Sequence, residues 1–209
     1  MNLGIIVILI TTTGYISNLL NWRYLNYKII HLLYYIGALV HETSHAILCV
    51  LTMAKIKEFV IFSSQPHVTH QKSKIPIIGE VLISFAPIAG GLLFLFLINH
   101  YVLGNYFVIP SFDNFRDLLT GGEKILSQIN IFEWKSWIMI LLFFNVGAMI
   151  GPSTQDLKNV WPILIIFFFI KSPFLIQFGL MAICLILINI VLQIISILLS
   201  KILTIKVCK

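Results

Sequence analysis

Charged residues are scarce in this chain: aspartate, glutamate, lysine and arginine together make up 11% of its 209 residues. Soluble domains contain about 25% charged residues, so this composition excludes an ordinary soluble domain. Cysteine is also rare, and Cys49, Cys184 and Cys208 have no paired spacing. They therefore provide no motif for a disulfide framework. The sequence also lacks internal repeats and low-complexity tracts, so we expect one compact domain spanning residues 1–209.

Apolar residues dominate the composition instead. They make up 59% of the chain, and the mean hydropathy is +0.98. Several apolar runs reach the roughly 20 residues that a helix needs to cross a bilayer, which predicts an all-α polytopic membrane protein. The net charge of +6 lies in short segments between these runs. There it indicates orientation in a membrane, so the lipid bilayer is an expected partner and nucleic acid is not.

The pattern of apolar runs predicts about six transmembrane helices, with a short β-hairpin after the second. The predicted spans are residues 3–20, 29–54, 75–99, 136–150, 153–170 and 173–203. β-Branched and aromatic residues before a Ser-Ser-Gln-Pro turn predict the hairpin at residues 56–71. We expect the core of the domain at about residues 29–170, between an N-terminal anchor helix at 1–28 and a C-terminal helix at 173–209.

The distribution of lysines predicts the orientation. With the N-terminus in the cytoplasm, the four lysines of residues 55–74 and the three lysines of the C-terminal tail are cytoplasmic, as the positive-inside rule favours. The longest polar stretch, residues 100–135, is then an external loop, with a short amphipathic helix expected at about Asp113–Ile129. In this arrangement residues 41–45 and Asp156 both lie towards the cytoplasmic side.

The most informative stretch is His41-Glu42-Thr43-Ser44-His45, inside the second predicted span. Two histidines four residues apart project from one face of a helix, where their imidazoles can share one Zn²⁺. Glu42 is placed to take a proton from water at that metal. Ionisable groups inside a membrane span are costly and are functional by default. The motif therefore predicts a metal-dependent hydrolase with zinc as its cofactor.

A catalytic zinc site usually has three protein ligands, so a third ligand is expected at a similar depth. Asp156 is the best candidate, because it follows an irregular Gly-Pro-Ser-Thr-Gln turn between two apolar runs. Irregular backbone at membrane depth is tolerated where it is buried in protein or lines a watery cavity. Glu80, near the start of the third span, is the alternative ligand, unless it is a hydrogen-bonded carboxyl near the interface. His67 and His70 have a spacing in a polar segment that favours ordinary surface histidines.

Taken together, these motifs resemble the site-2 protease (M50-type) family of intramembrane metalloproteases. The resemblance covers about residues 29–170. It rests on HETSH in an early apolar helix, on the Ala-Pro-Ile-Ala-Gly-Gly break in the next span, and on the later Pro-Ser-Thr-Gln-Asp-Leu turn. It implies zinc bound by His41, His45 and Asp156, and cleavage of transmembrane protein substrates near the cytoplasmic side.

The same resemblance implies roles for two further residues. Glu42 is the expected general base, and Asn145 in the fourth span is similar to the family's intramembrane asparagine. Asn145 either hydrogen-bonds the substrate or the oxyanion, or makes an interhelical hydrogen bond. The sequence departs from the family's commonest pattern at Leu157, which follows Asp156 in place of glycine. No PDZ-like insertion is present, so substrate selection by such a module is not expected.

Three interpretations of the function follow. The first is intramembrane proteolysis, in which an edge strand of the hairpin holds an unwound substrate segment by β-strand addition. The second is another membrane zinc peptidase that uses Glu80 as its third ligand and acts on a soluble peptide or a prenylated tail. The third is a non-catalytic pseudoprotease that binds membrane proteins, and the intact Glu42 argues against it.

Overall fold

The computed structural model describes residues 2–24, 35–61, 63, 66–151, 156 and 167–207, and these residues are mostly helical. The helices are α1 (Leu3–Tyr24), α2 (Tyr35–Leu51), α3 (Ile78–Leu97), α4 (Asp117–Ser127), α5 (Trp134–Met149) and α6 (Pro173–Val207). A π-helical turn at Ile98–Val102 continues α3, and the strands β1 (Ile56–Val60) and β2 (His67–His70) follow α2. The predicted helical class and the hairpin after the motif helix are confirmed.

The hairpin is an antiparallel sheet of two strands. Phe59 pairs with Val68 and Val60 pairs with His67, and the register shifts between Ile56 and Glu58. Because the sheet has two strands, each strand keeps one edge that is directed away from its partner. The hairpin therefore presents backbone groups to its surroundings, and β2 presents them to the motif helix α2, which it contacts.

The centre of the bundle lies where α6 packs against α1, α4 and α5. Its members are apolar side chains with little exposed surface, among them Ile6, Val146, Leu180 and Ile186. Within a membrane, helices associate through such van der Waals packing and through hydrogen bonds, because lipid is as apolar as the side chains. This core holds the ends of the chain together and supports α5, which borders the motif helix.

A buried polar cluster joins α1 to α6 inside this core. The Ser17 hydroxyl donates to the side-chain oxygen of Asn189 at 2.9 Å, and Gln193 Nε2 donates to Ser17 Oγ at 3.1 Å. All three side chains are at most 1% exposed, so the bonds satisfy groups that would otherwise be costly to bury. Interhelical hydrogen bonds of this kind set the register of one helix against another.

The motif helix α2 lies between α3 and α5, and glycine lets it approach both closely. A Cβ at Gly37 would overlap the Asn145 carbonyl of α5, and a Cβ at Gly90 of α3 would overlap the Ser44 side chain. Small residues at such crossings allow helix backbones to come into contact. The site is therefore built from three helices that are held unusually close to one another.

Two helices among the described residues are long and apolar enough to cross a membrane: Ile78–Val102, with 25 residues, and Pro173–Leu198, with 26. Shorter apolar helices occupy Leu3–Ser17, Tyr35–Leu51 and Trp134–Met149. The prediction of about six transmembrane helices is therefore not confirmed. The fifth predicted span, residues 153–170, lies outside the described residues apart from Asp156 and residues 167–170.

The polar stretch at residues 100–135 folds onto the bundle. The amphipathic helix expected at about Asp113–Ile129 is observed as α4, and its buried residues Leu118 and Ile125 join the core next to α6. The opposite side of α4 is open, since Leu119 is 82% exposed. The amphipathic pattern was thus sufficient to predict this helix, with its ends in error by two to four residues.

Candidate metal centre

Helix α2 brings the two histidines of HETSH together. The spacing of four residues places them one turn apart on the same face, and their ring centroids are 4.8 Å apart, with the ring planes at 73°. The Nε2 atom of His41 lies 3.2 Å from the Nε2 atom of His45. The Nε2 atoms of the two rings therefore point towards the same small volume.

The other nitrogen of each ring is held by a main-chain carbonyl. His41 Nδ1 lies 2.6 Å from the oxygen of Met149, the last residue of α5, and His45 Nδ1 lies 2.9 Å from the oxygen of Ile83 in α3. A carbonyl oxygen only accepts, so each Nδ1 carries a hydrogen and donates it. Both imidazoles are thereby oriented by backbone from a neighbouring helix, which is the usual support of a metal-binding histidine.

This arrangement calls for a cation between the rings. A neutral imidazole that is protonated on Nδ1 has a lone pair on Nε2, so two lone pairs face each other across 3.2 Å. Two nitrogens bound to one tetrahedral zinc, each about 2.05 Å from the metal, lie about 3.3 Å apart. The observed separation therefore fits two ligands of one zinc ion.

Asp156 completes a group of three ligand-type side chains. Its Oδ2 lies 3.6 Å from His45 Nε2, and the ligand atoms of His41, His45 and Asp156 all lie within 4.8 Å of one another. The Asp156 side chain is buried, and a carboxylate in such a place is paired or binds a metal. Two imidazoles and a carboxylate form a donor set that suits zinc.

Glu42 sits beside this group and under the hairpin. Its half-buried carboxylate interacts electrostatically with His41 and Asp156, and the backbone amide of Val68 in β2 donates a hydrogen bond to it. The Val68 amide is therefore turned towards Glu42 and away from β1. A carboxylate held next to the donor set can move protons to and from groups bound there.

Glu80, the alternative third ligand, is hydrogen-bonded outside the group formed by the two histidines. Its Oε1 accepts a hydrogen bond of 2.7 Å from the Ser73 amide, and the Ser73 hydroxyl donates to the Thr52 carbonyl. Glu80 does not belong to the group formed by the two histidines and Asp156. It ties the segment after the hairpin to the start of α3, as a hydrogen-bonded carboxyl near a helix N-terminus can.

The two hairpin histidines have polar partners of their own. His67 Nε2 lies 3.5 Å from Glu58 Oε2 on the paired strand, and His70 Nδ1 lies 2.9 Å from the Gln71 carbonyl. Neither is part of the three-residue group among the described residues. They agree with the expectation of surface histidines, although β2 itself borders the site.

Asn145 is buried in α5, one turn before Met149, and its main-chain carbonyl lies against Gly37 of the motif helix. Its Nδ2 donates to the Leu141 carbonyl of its own helix at 2.8 Å. Its buried Oδ1 has no hydrogen-bond partner among the residues that the structure describes. The residue thus lies next to the elements that position His41, with one acceptor unused.

The sequence reasoning missed the two carbonyls that orient the histidines. Every residue has a carbonyl group, so a main-chain acceptor leaves no side-chain signature. The signals that were available are indirect: α5 ends at Met149, immediately before Ile-Gly-Pro, and the last carbonyls of a helix have no intrahelical donor. A partner from another element is therefore expected at that position.

Residues 4–108, about half of the chain, match the family described as Peptidase M50B-like. No curated protein and no solved structure matches the chain significantly. The matched residues include the motif helix α2, the hairpin and α3, and thus both histidines and Glu42. The chain therefore belongs to the site-2 protease (M50) family of metallopeptidases.

Proposed function

We propose that the protein is an intramembrane zinc metalloprotease that hydrolyses peptide bonds of transmembrane or membrane-associated proteins. The observation that carries this proposal is the pair of Nε2 atoms 3.2 Å apart, with their lone pairs turned towards each other beside a carboxylate. His41, His45 and Asp156 would hold the zinc ion. Family membership supports a metallopeptidase, and the two long apolar helices indicate a membrane location.

Hydrolysis of a peptide bond needs Lewis acidity, which the metal would supply, and proton transfer, which the protein side chains would supply. Zinc, when bound, supplies Lewis acidity that acidifies water and polarises a peptide carbonyl. The Glu42 carboxylate takes the proton from the attacking water and delivers it to the amide nitrogen as the C–N bond breaks. The Val68 amide, which donates to Glu42, keeps that carboxylate in one place during the transfer.

The hairpin supports a way to hold the substrate. A helical substrate hides its amide bonds and must be unwound locally before attack. The hairpin lies beside Glu42, since its Val68 amide donates to that carboxylate. An extended segment added to an edge strand of the hairpin would therefore pass close to the general base. We expect deletion of residues 58–71 to abolish cleavage while zinc content stays at the parent level, and undiminished cleavage would rule out this role.

Asn145 is the proposed contact to the reacting group. Its buried amide is one turn from the carbonyl that orients His41, and its Oδ1 has no partner among the described residues. A substrate N–H would donate to this oxygen, and after rotation of the side chain the Nδ2 group would donate to an oxyanion. Removing one such donor typically costs about 10²–10³ in kcat. An Asn145→Ala variant with parental kcat and zinc content would favour the interhelical role instead.

We further propose that the chain crosses the membrane several times, with its N-terminus and the metal centre towards the cytoplasm. The lysines of residues 55–74 and of the C-terminal tail support this orientation. Single cysteines introduced at residues 2 and 130, in a variant without the native cysteines, test it in intact cells. A membrane-impermeant maleimide should label residue 130 and leave residue 2 unlabelled. The reverse pattern would invert the topology.

The test of the activity compares the parent with Glu42→Gln in lipid nanodiscs, against a panel of single-span helical polypeptides, with products identified by mass spectrometry. Loss of the base should lower cleavage by about 10²–10⁴ at unchanged zinc content. Equal cleavage by both proteins would refute Glu42 as the base. A parent that binds zinc but cleaves no member of the panel would favour the pseudoprotease interpretation. Zinc content that falls in Glu80→Ala and not in Asp156→Ala would favour the rival peptidase.

A further inference from the structure

His45 is oriented by a carbonyl inside an α-helix, a group that ordinarily accepts a hydrogen bond from its own helix. Its Nδ1 donates to the carbonyl oxygen of Ile83 at 2.9 Å, and Ile83 lies inside α3, five residues after the helix begins. A carbonyl inside an α-helix accepts from the N–H four residues ahead and lies along the helix axis. It is therefore poorly placed to accept from a side chain on another helix.

The residue four ahead of Ile83 is Pro87, which lies within α3. Proline has no N–H, so the intrahelical bond to the Ile83 carbonyl cannot form. The proline ring also clashes with the carbonyl four residues before it and displaces that carbonyl from the helical path. One covalent feature thus removes the usual donor and turns the Ile83 oxygen outwards, where His45 meets it.

We propose that Pro87 is a positioning residue for His45. By leaving the Ile83 carbonyl without its helical donor, it selects the His45 tautomer with hydrogen on Nδ1 and aims Nε2 at His41 and Asp156. The proposal rests on the proposed function in one respect, since the benefit of this orientation is metal binding. It does not depend on the substrate or on catalysis.

His41 is also oriented by a main-chain carbonyl without an intrahelical donor, but for a different reason. Its orienting acceptor is the carbonyl of Met149, at the end of α5, where helix termination leaves the last carbonyls without donors. Each histidine is therefore held by a carbonyl that has lost its intrahelical partner. In one case the helix stops, and in the other a proline interrupts the bonding while the helix continues.

The competing explanation is that Pro87 only bends α3 to fit the bundle. Both explanations predict that replacing it changes the structure, but they differ at His45. Pro87→Ala restores an N–H at residue 87, which can bond to the Ile83 oxygen and compete with the imidazole. Alanine is the best helix former, so the variant has no propensity reason to unfold. Pro87→Ser restores the same N–H with a different side chain and serves as the second variant.

Two measurements on the full-length protein in nanodiscs test the proposal. The first is the zinc dissociation constant by chelator competition, which should rise about 10–100-fold in both variants, as for other losses of an outer-shell partner. The second is the ¹⁵N spectrum of histidine-labelled, zinc-free protein at mildly alkaline pH. The parent should show His45 with hydrogen on Nδ1, and the variants should show a mixture of both tautomers.

Two control variants keep the Ile83–His45 bond. Pro76→Ala removes a proline that precedes α3, and Ile88→Ala loosens the buried turn next to Pro87 without adding an N–H. Both should retain the parental tautomer and zinc affinity. Parental tautomer and affinity in Pro87→Ala and Pro87→Ser would overturn the proposal, and so would equal losses in the controls. A parent that binds no zinc would refute the proposed function, while the metal-free tautomer measurement would still decide the role of Pro87.

Discussion

The close approach of Gly37 in the motif helix to α5 offers a sharp test of how the site is built. Gly37 lies one turn before His41, and a Cβ added to it would sit 2.8 Å from the Asn145 carbonyl carbon and 3.0 Å from Met149 Cγ, with the Asn145 oxygen closer still. Comfortable contacts between carbon atoms are about 3.5–4.0 Å. The backbone of α5 cannot give way as a flexible side chain can, so Gly37→Ala must push the helices apart by roughly 1 Å.

That displacement falls where His41 meets α5. The bond from His41 Nδ1 to the Met149 oxygen is 2.6 Å long, and a shift of roughly 1 Å takes it beyond hydrogen-bonding distance. We expect zinc affinity to fall about 10–100-fold, which corresponds to about 1.4–2.8 kcal/mol. Overpacking should also lower the free energy of unfolding by about 1–3 kcal/mol.

The assay is chelator competition for zinc, paired with thermal unfolding in detergent. Gly122→Ala is the matched control, because a Cβ there meets nothing closer than Cys184 Sγ at 3.8 Å. That variant should bind zinc like the parent and be as stable or slightly more stable, since alanine favours a helix over glycine. A Gly37→Ala protein with parental zinc affinity would show that His41 does not depend on this close approach.

Further predictions concern the donor set, the metal and the thiols. Asp156→Ala should lose zinc, as measured by elemental analysis. Glu80→Ala should keep its zinc, but its free energy of unfolding should fall by about 1 kcal/mol because the hydrogen bond to Ser73 is lost. The opposite pattern of zinc loss would exchange the roles of the two residues. Removing zinc with a chelator should lower the thermal unfolding temperature. A ligand present at about 1,000 times its dissociation constant stabilises the folded protein by about 4 kcal/mol. An unchanged temperature would show that the metal does not stabilise the fold. Cys49 and Cys184, 0% and 2% exposed, should resist maleimide in the native protein and react after denaturation, and rapid native labelling would contradict their burial.

The close approach of His41 and His45 was predictable because its signal is local. A spacing of four residues in an apolar run is enough to place two imidazoles side by side on a helix. Asp156 is distant in sequence from the motif, and its position next to His45 depends on tertiary packing. No local pattern encodes that packing, so the residue could be inferred only from its chemistry and from the family resemblance. Zinc itself stays a prediction.

The rest of the site depends on tertiary contacts that the sequence does not reveal. The acceptors of His41 and His45 are main-chain carbonyls, and the partner of Glu80 is the backbone amide of Ser73. Any residue can supply such groups, so their identity follows from helix packing alone. The number of spans was harder to predict for a related reason. The apolar helices Leu3–Ser17, Tyr35–Leu51 and Trp134–Met149 are at or below the lower length limit of a bilayer span, and apolar runs of this length also suit a buried core helix.

The hydrogen bonds that join Ser17 with Asn189 and Gln193 have a consequence for folding during synthesis. The residues that they join are separated by more than 170 positions, and chain synthesis adds only about 5–20 residues each second. At this rate, α1 is synthesised on the order of ten seconds before its partner residues on α6. During this time α5, which borders the motif helix, lacks α6, one of the helices that it contacts. The group formed by His41, His45 and Asp156 can therefore reach its final geometry only after α6 has been synthesised and has packed against α5.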